Sequence, residues 1–402
     1  MRRFCWLMGL LIAVTLGVVA LIRSLGGTDS HRPPVRALWV TRFDYTNPED
    51  VRRIIDNVSQ SGFTDVFFQI RGNGTAFYRS AVEPWAYELS GKDVSSLGVD
   101  PGWDPLQTAI DAARGTGLRV HAYMNVLPGW KGRSEPPVDS RQLWTQHPDW
   151  FMVDSLGNKM MPTVGWYSFL NPVLPEVRAH LREIVRELCR YDVAGIHLDY
   201  IRYPNDYHLV APEIYPDASE EEILRHSEFS YDPSSLAELV DRFGRDVTKN
   251  QITRFRCDSV TRVVRDISFV MQTERPDSCL LSASVKGNPV EGKFRAYQDS
   301  GAWAREGLVD WVVQMNYGTR SFSRYLKDMR KAAGRRGFRS SVVMGIYCKN
   351  DIEDILEQID QAEDSGCRGL AFFSYTFLFD ESHQPTEKGR ILLAKLRPSS
   401  TP

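Results

Sequence analysis

Short apolar runs rich in branched residues alternate along this chain with longer stretches whose apolar positions recur every three or four residues. These are the periods of buried strands and of amphipathic helices. The first run, Arg36–Arg42 (RALWVTR), leads to Asn47-Pro48, a capping residue and a first-turn proline. Val51, Ile54, Ile55 and Val58 then share one helical face. Gly62 ends that helix, and Thr64–Arg71 (TDVFFQIR) reads as the second strand. Asp104-Pro105 opens the next helix, Gly117 closes it, and Arg119–Val126 (RVHAYMNV) reads as the third strand. A helix opened by Asn171-Pro172 feeds Val193–Pro204, the fourth apolar run. Helical periodicity from about 235 to 272 precedes a fifth strand, Leu280–Gly287, and a helix over 295–306 precedes a sixth, Leu308–Tyr317. A helix over 322–333 leads to Val342–Tyr347, and one capped by Asp351 leads to Gly369–Tyr375. A last helix near 385–396 completes the pattern.

Strands alternating with helices predict a parallel sheet, and eight such units over 35–396 predict an α/β fold of the (β/α)8 TIM-barrel type. The helix-to-strand turns are short and glycine-rich, whereas long loops follow strands two, three and four. In such barrels the strand-to-helix loops build the site, so the elaborated face is the functional one. An open doubly wound sheet would want a glycine-rich phosphate turn after the first strand, and Arg42-Phe43-Asp44-Tyr45 is not one.

The ends break the pattern. Arg2 and Arg3 precede an unbroken apolar run from Phe4 to Ile22, and a polar linker reaches Pro33-Pro34. Residues 1–34 are therefore expected to be a signal peptide or uncleaved membrane anchor that delivers the body outside the cytoplasm. Residues 397–402 are expected to be a disordered tail.

Composition narrows the function. The 402 residues are 42% hydrophobic and 25% charged with a net charge of −2, which is globular and makes no electrostatic case for nucleic acid. The six cysteines form no CxxC pair and read as free thiols. Eight scattered histidines, with only His121 and His197 on strands, argue against a metal centre. The motifs G-x-S-x-G, H-E-x-x-H and G-x-x-x-x-G-K-[ST] are all missing, and no cofactor is expected.

The strand ends carry the candidate chemistry. They offer Arg42 and Asp44; Gln69 and Arg71; Asn125; Asp199 and Arg202; Ser284 and Lys286; Gln314, Asn316 and Tyr317; Tyr347; and Ser374 and Tyr375. Amides that pair with hydroxyls in either sense, walled by aromatics, suit a neutral polysaccharide. Trp85 and Trp130, in the long loops, are expected to add to its binding. Asp199 ends an otherwise apolar strand, where an acid is costly unless paired or used. The bland alternative for Asp199 is a structural ion pair with Arg202 or Lys286, and for His197 a satisfied core histidine.

Several segments resemble the glycosyl-hydrolase-like 10 domain family of bacterial envelope proteins. They are Arg36-Ala-Leu-Trp-Val, Phe67-Phe-Gln-Ile-Arg71, Tyr78–Trp85, Gly102-Trp-Asp-Pro-Leu106, His121-Ala-Tyr-Met-Asn125, Gly195–Pro204 and Gln314-Met-Asn-Tyr317. The resemblance implies an extracytoplasmic barrel glycosidase, with peptidoglycan glycan strands a known kind of substrate. The Asp199 stretch is also similar to the D-G-x-D-x-D-x-E motif of chitinase-type barrels, but Ile201 stands where those enzymes keep their glutamate. The expected mechanism makes Asp199 the general acid, its pKa raised by an apolar strand environment. The second carboxyl is Asp44, Glu83 or Asp351; otherwise the substrate's own 2-acetamido group attacks, oriented by Tyr317 and Asn316. The alternative is a non-catalytic, membrane-anchored carbohydrate-binding barrel.

Overall fold

Eight parallel strands hydrogen-bond around a closed ring in the order β1-β8-β7-β6-β5-β4-β3-β2. They are β1 Val35–Val40, β2 Asp65–Arg71, β3 Arg119–Asn125, β4 Gly195–Asp199, β5 Leu280–Lys286, β6 Trp311–Met315, β7 Val342–Tyr347 and β8 Gly369–Phe373. This computed structural model describes residues 34–397 apart from Lys92, Asp139 and Asp277. The expected anchor and tail lie outside the described residues but for Pro34 and Arg397. Closure is the pairing of β1 with β8, in which Val35 sits opposite Gly369 and Leu38 opposite Phe372.

Because strand side chains alternate between faces, each strand feeds two cores. Inward go Ala37, Trp39, Phe67, Tyr123, Trp311, Val313, Val343 and Ala371, which fill the barrel. Outward go residues such as Leu38, Val66, Ile196, Leu198 and Met344, which pack under the helices.

The surrounding helices are α1 Pro48–Gln60, α2 Pro105–Ala113, α3 Pro175–Leu188, α4 Lys249–Glu274, α5 Ser300–Glu306, α6 Phe322–Ser341, α7 Ile352–Ser365 and α8 Glu387–Leu396. Asn47 caps α1 by accepting from the Glu49 and Asp50 amides, and Asp104 caps α2 by accepting from Gln107, as their spacing predicted. Other boundaries differ. The third helix begins at Pro175 because Asn171 is engaged elsewhere, donating to Asp232 (2.6 Å) and Ser235 (3.1 Å). The periodic stretch over 235–272 is two helices, Pro233–Phe243 and α4, parted at Gly244. The stretch expected at 295–306 is likewise Pro289–Arg295 followed by α5. Helix α6 runs on to Ser341 through a kink at Gly334, whose φ of 70° suits glycine.

The long loops follow β2, β3 and β4, all at the C-terminal mouth. The loop after β3 carries a two-stranded antiparallel ribbon, Pro128–Lys131 against Tyr167–Phe169, that no periodicity announced. Cys189, Cys257, Cys279, Cys348 and Cys367 are free thiols. Among the described residues no helix is long and apolar enough to cross a membrane.

Candidate active site

Strand β4 points His197 and then Asp199 up the barrel axis, two residues apart on the inner face. His197 is the floor of the site. The Trp39 indole N–H donates to its Nε2 (3.0 Å), so Nε2 is the acceptor and Nδ1 carries the proton, facing Ser282 Oγ at 2.8 Å. Its ring stacks on Phe67 with centroids 3.8 Å apart. Burial holds its pKa well below the usual value. It is a neutral, satisfied core histidine rather than a proton shuttle.

Asp199, 7% exposed, lies one layer above. Its Oδ2 accepts from the Tyr123 hydroxyl (3.0 Å), and its Oδ1 accepts from the Tyr200 amide (2.6 Å) and from Arg202 Nη1 (3.0 Å). The apolar sleeve expected from the strand is therefore not what surrounds the carboxyl: three donors converge on it. Tyr200 adopts φ 50°, a left-handed conformation that a tyrosine rarely takes. That turn brings its own N–H back to Asp199 and lays its ring under the Arg202 guanidinium, 4.2 Å away. Beyond Arg202, Lys286 at the end of β5 pairs with Asp206 at 3.6 Å.

Aromatic rings wall this centre. Tyr317 stacks on Tyr347 with centroids 5.1 Å apart, and both pack near Phe373. Across the mouth Tyr167 meets Tyr200 edge-on at 5.4 Å, with Trp166 beside it at 6.3 Å from Tyr200. The Arg42 guanidinium donates to the Tyr167 hydroxyl (3.1 Å) and stands 3.6 Å from Glu88. Glu88 Oε2 is buried with no hydrogen-bond partner among the described residues. Burial, with Asp199 adding to it, pushes the Tyr123 phenol well above its usual pKa, so it stays a donor to that carboxylate.

The other expected residues divide. Asn125 sits in register beside Asp199 and Gln69 braces it: Gln69 accepts from the Arg42 backbone N–H (3.0 Å) and donates to Asn125 (3.2 Å). Arg71 does not line the mouth. The register slips between Gln69 and Arg71, and Arg71 turns into the loop layer, where its Nη2 meets Glu83 at 2.6 Å and its Nη1 donates to the Asn125 and Val126 carbonyls. His180 is also 2.9 Å from Glu83, and this buried acid is structural. Gln314 and Asn316 do not line the mouth either. Since Trp311 and Val313 point inward, Gln314 and Asn316 face the helix layer. Gln314 donates to the Gly287 and Tyr325 carbonyls, and Asn316 to that of Phe322. Tyr375, just past the end of β8, stacks on Phe379 and bonds Asn57 and His383. Trp85 and Trp130 are buried in the loops, Trp130 donating to the Ser134 carbonyl (3.1 Å). Asp351 sits at the N-cap of α7.

Asp44 lies in the turn that follows β1, next to the exposed Phe43. Its Oδ2 accepts from the Thr41 amide and hydroxyl, and no cation pairs with it among the described residues. Burial pushes its pKa up to about 6, against those two hydrogen bonds. It is the one carboxyl among the described residues with a pKa clearly raised.

Sequence reasoning passed over Tyr123, Tyr167, Glu88 and Asp206. Tyr123 has the inward parity of His121 and Asn125, so alternation along β3 could have found it. The others sit in loops, where no period marks them. Among the described residues no group of three or more His, Cys, Asp or Glu side chains is placed to hold a metal ion.

A sequence profile, glycosyl hydrolase-like 10, matches residues 34–365. The chain is 24% identical over 335 residues to glycosyl hydrolase DigH of Escherichia coli K12, covering 74% of this chain and 69% of that one. It is 24% identical over 293 residues to glycosyl hydrolase YngK of Bacillus subtilis, covering 69% of this chain and 50% of that one. Among solved structures, the catalytic domain of β-amylase from Paenibacillus polymyxa superposes with a TM-score of 0.62 at 10% identity, covering 90% of this chain and 99% of that one.

Proposed function

The chain belongs to the glycosyl hydrolase-like 10 family, and from that premise we propose that it hydrolyses an N-acetylated polysaccharide outside the cytoplasm, peptidoglycan glycan strands foremost. The observation that carries this is the Asp199 carboxylate, held by Tyr123, Arg202 and a backbone amide at the mouth of a closed barrel, between two aromatic walls. Rings such as Tyr317, Tyr347 and Tyr200 offer faces for sugar stacking, and Arg42, Arg202 and Lys286 offer donors to hydroxyl or amide oxygens. The apolar run from Phe4 to Ile22 supports export and attachment to a membrane.

Glycosidases divide acid and base work between carboxyls whose surroundings push them apart. With the Tyr123 hydroxyl, the Tyr200 amide and Arg202 donating to it, Asp199 is read in this scheme as nucleophile or general base, and the acid role is assigned to a second carboxyl. Asp44 suits that role: burial raises its pKa to about 6, and no cation pairs with it among the described residues. In this scheme Asp44 protonates the glycosidic oxygen as the C–O bond breaks. Asp199 attacks the anomeric carbon or deprotonates the water that does.

The test is release of reducing ends from purified glycan strands. Asp199→Asn should lower that rate by about a thousandfold, within the span of single acid–base groups, with an unchanged circular dichroism spectrum. A variant that still cuts at the parental rate removes Asp199 from the chemistry. Glycan binding by the parent protein with no release at all would favour the carbohydrate-binding alternative, to which the Asp199–Arg202 ion pair already lends some weight.

A further inference from the structure

The turn after β1 sets one buried cation against two rings. Arg42 is 3% exposed, with its backbone N–H tied to Gln69 and its Nη2 to the Tyr167 hydroxyl. Its guanidinium carbon lies 4.3 Å from the Phe43 ring centroid and 6.0 Å from that of Tyr167. The backbone opposite makes room for it, since a Cβ at Gly72 would stand 2.9 Å from Arg42 Nε. That Nε is buried and makes no hydrogen bond among the described residues. The guanidinium is thus held as much by the rings and by Glu88 as by hydrogen bonds.

Phe43 differs from the other rings of the mouth in facing water. It is 66% exposed, whereas Tyr167, Tyr200, Tyr317 and Tyr347 are buried or half-buried. An apolar ring left in water gains free energy from whatever covers it. A ring already fixed against a cation also has little freedom left to lose when a ligand lands on it. A pyranose offers a patch of C–H groups that fits such a face, with its hydroxyls still in water. Contacts set Phe43 at the edge of the Asp199 trough. On one side Arg42 bonds Gln69, Gln69 bonds Asn125, and Asn125 lies in register beside Asp199. On the other Tyr167, bonded to Arg42, meets Tyr200 at 5.4 Å, and Tyr200 gives its amide to Asp199.

We propose that Phe43, carried on Arg42, is the stacking platform for the sugar on the leaving side of the bond that is cut. The side follows from Asp44. That carboxyl protonates the oxygen joining the two sugars, so a ring one residue away in the same turn meets the sugar that this oxygen leaves with. The platform rests on the hydrolase reading for its side but not for its stacking.

The test is calorimetric binding in the Asp199→Asn background, where bound glycan is not consumed. The probes are chitohexaose and glycan strands freed of stem peptides. Phe43→Ala should weaken binding about tenfold, the range of one aromatic contact with its buried area, and Phe43→Tyr, which keeps the ring, should stay within about twofold. The melting temperature should not move, because the ring stands mostly in water. Affinity that ignores the ring overturns the platform. The side is read from hydrolysis with Asp199 in place. A glycosyl fluoride of the probe's disaccharide repeat has no leaving sugar, so Phe43→Ala should lower the ratio of kcat/KM on strands to that on the fluoride by about tenfold. An unchanged ratio overturns the leaving-side assignment. Phe43-dependent binding by a parent that releases no reducing ends keeps the platform and loses the hydrolase, and release with binding that ignores Phe43 does the reverse.

Discussion

Glu83 and Asp44 are both acids largely withdrawn from water, and their neighbours push them opposite ways. Burial alone would raise Glu83, but Arg71 and His180 outweigh it and hold its pKa at about 2 against an ordinary 4.5. A depressed carboxyl contributes stability that is present above its unfolded pKa and lost as pH falls through the folded one. The chain should therefore lose stability between about pH 4.5 and 2. Glu83→Gln should cost about 3–5 kcal/mol in urea unfolding, because it strands the Arg71 charge in the interior. A cost under 1 kcal/mol would show that water reaches Arg71. Asp44 has the reverse sign. Its pKa, raised from 3.8 to about 6, disfavours the folded state progressively as pH rises through that window. As proton donor it must also keep its proton, so reducing-end release should fall above about pH 6. Asp44→Asn should suppress release over the whole pH range and raise the melting temperature relative to the parent above about pH 6. An alkaline limb that survives in residual Asp44→Asn activity would belong to another group.

At the scale of the element, alternation governs what each strand shows to the site. Strand β4 was legible because its apolar run ends in Asp199, and its inner face does carry His197 and Asp199. Strand β6 is the harder case, because the polar run at its end reads as all pocket. The parity of Trp311 and Val313 already sends Gln314 and Asn316 to the helices, where their amides satisfy loop and helix carbonyls. Register matters as much as parity. At Gly195 the backbone of β4 passes so close to its neighbours that a Cβ there would meet His121 Nδ1 and lie 2.7 Å from the Leu280 carbonyl oxygen. Both neighbours are fixed, since His121 holds Asp65 at 2.7 Å and Leu280 bonds to Ala194 across the strand pair. Gly195→Ala should therefore destabilise by about 1–3 kcal/mol, the usual cost of overpacking. Through the shift of β4 it should also lower glycan release at temperatures where the protein is still folded. A variant as stable as the parent would mean that β3 and β5 can part to admit a methyl group.

At the scale of the whole molecule, the count of strand–helix units was enough to read the barrel, because closure needs only eight repeats of one local pattern. The loops were legible in length but not in content. The Tyr167 ribbon strand and Glu88 are held by tertiary contacts with Arg42, and nothing local in the sequence encodes them. Closure itself makes a demand that family boundaries hide. The profile ends at residue 365, yet β8 at Gly369–Phe373 supplies the strand that joins β7 to β1. Helix α8 seals that seam: Leu392, Leu393 and Leu396 are buried, and the Arg36 guanidinium donates to the Leu396 carbonyl (2.7 Å). A fragment of residues 34–365 would expose the unpaired edges of β1 and β7 together with the apolar face that β8 covers. It should aggregate or lack a cooperative melt, whereas residues 34–397 should unfold in one transition. Cutting only α8, at residue 384, leaves the ring of strands intact but uncovers those leucines, and it should lower the melting temperature without flattening the transition. If the fragment 34–365 instead melts cooperatively, β1 and β7 can close the ring without an eighth strand, and the placement of Asp44 and Tyr347 on either side of the seam would need to be drawn again.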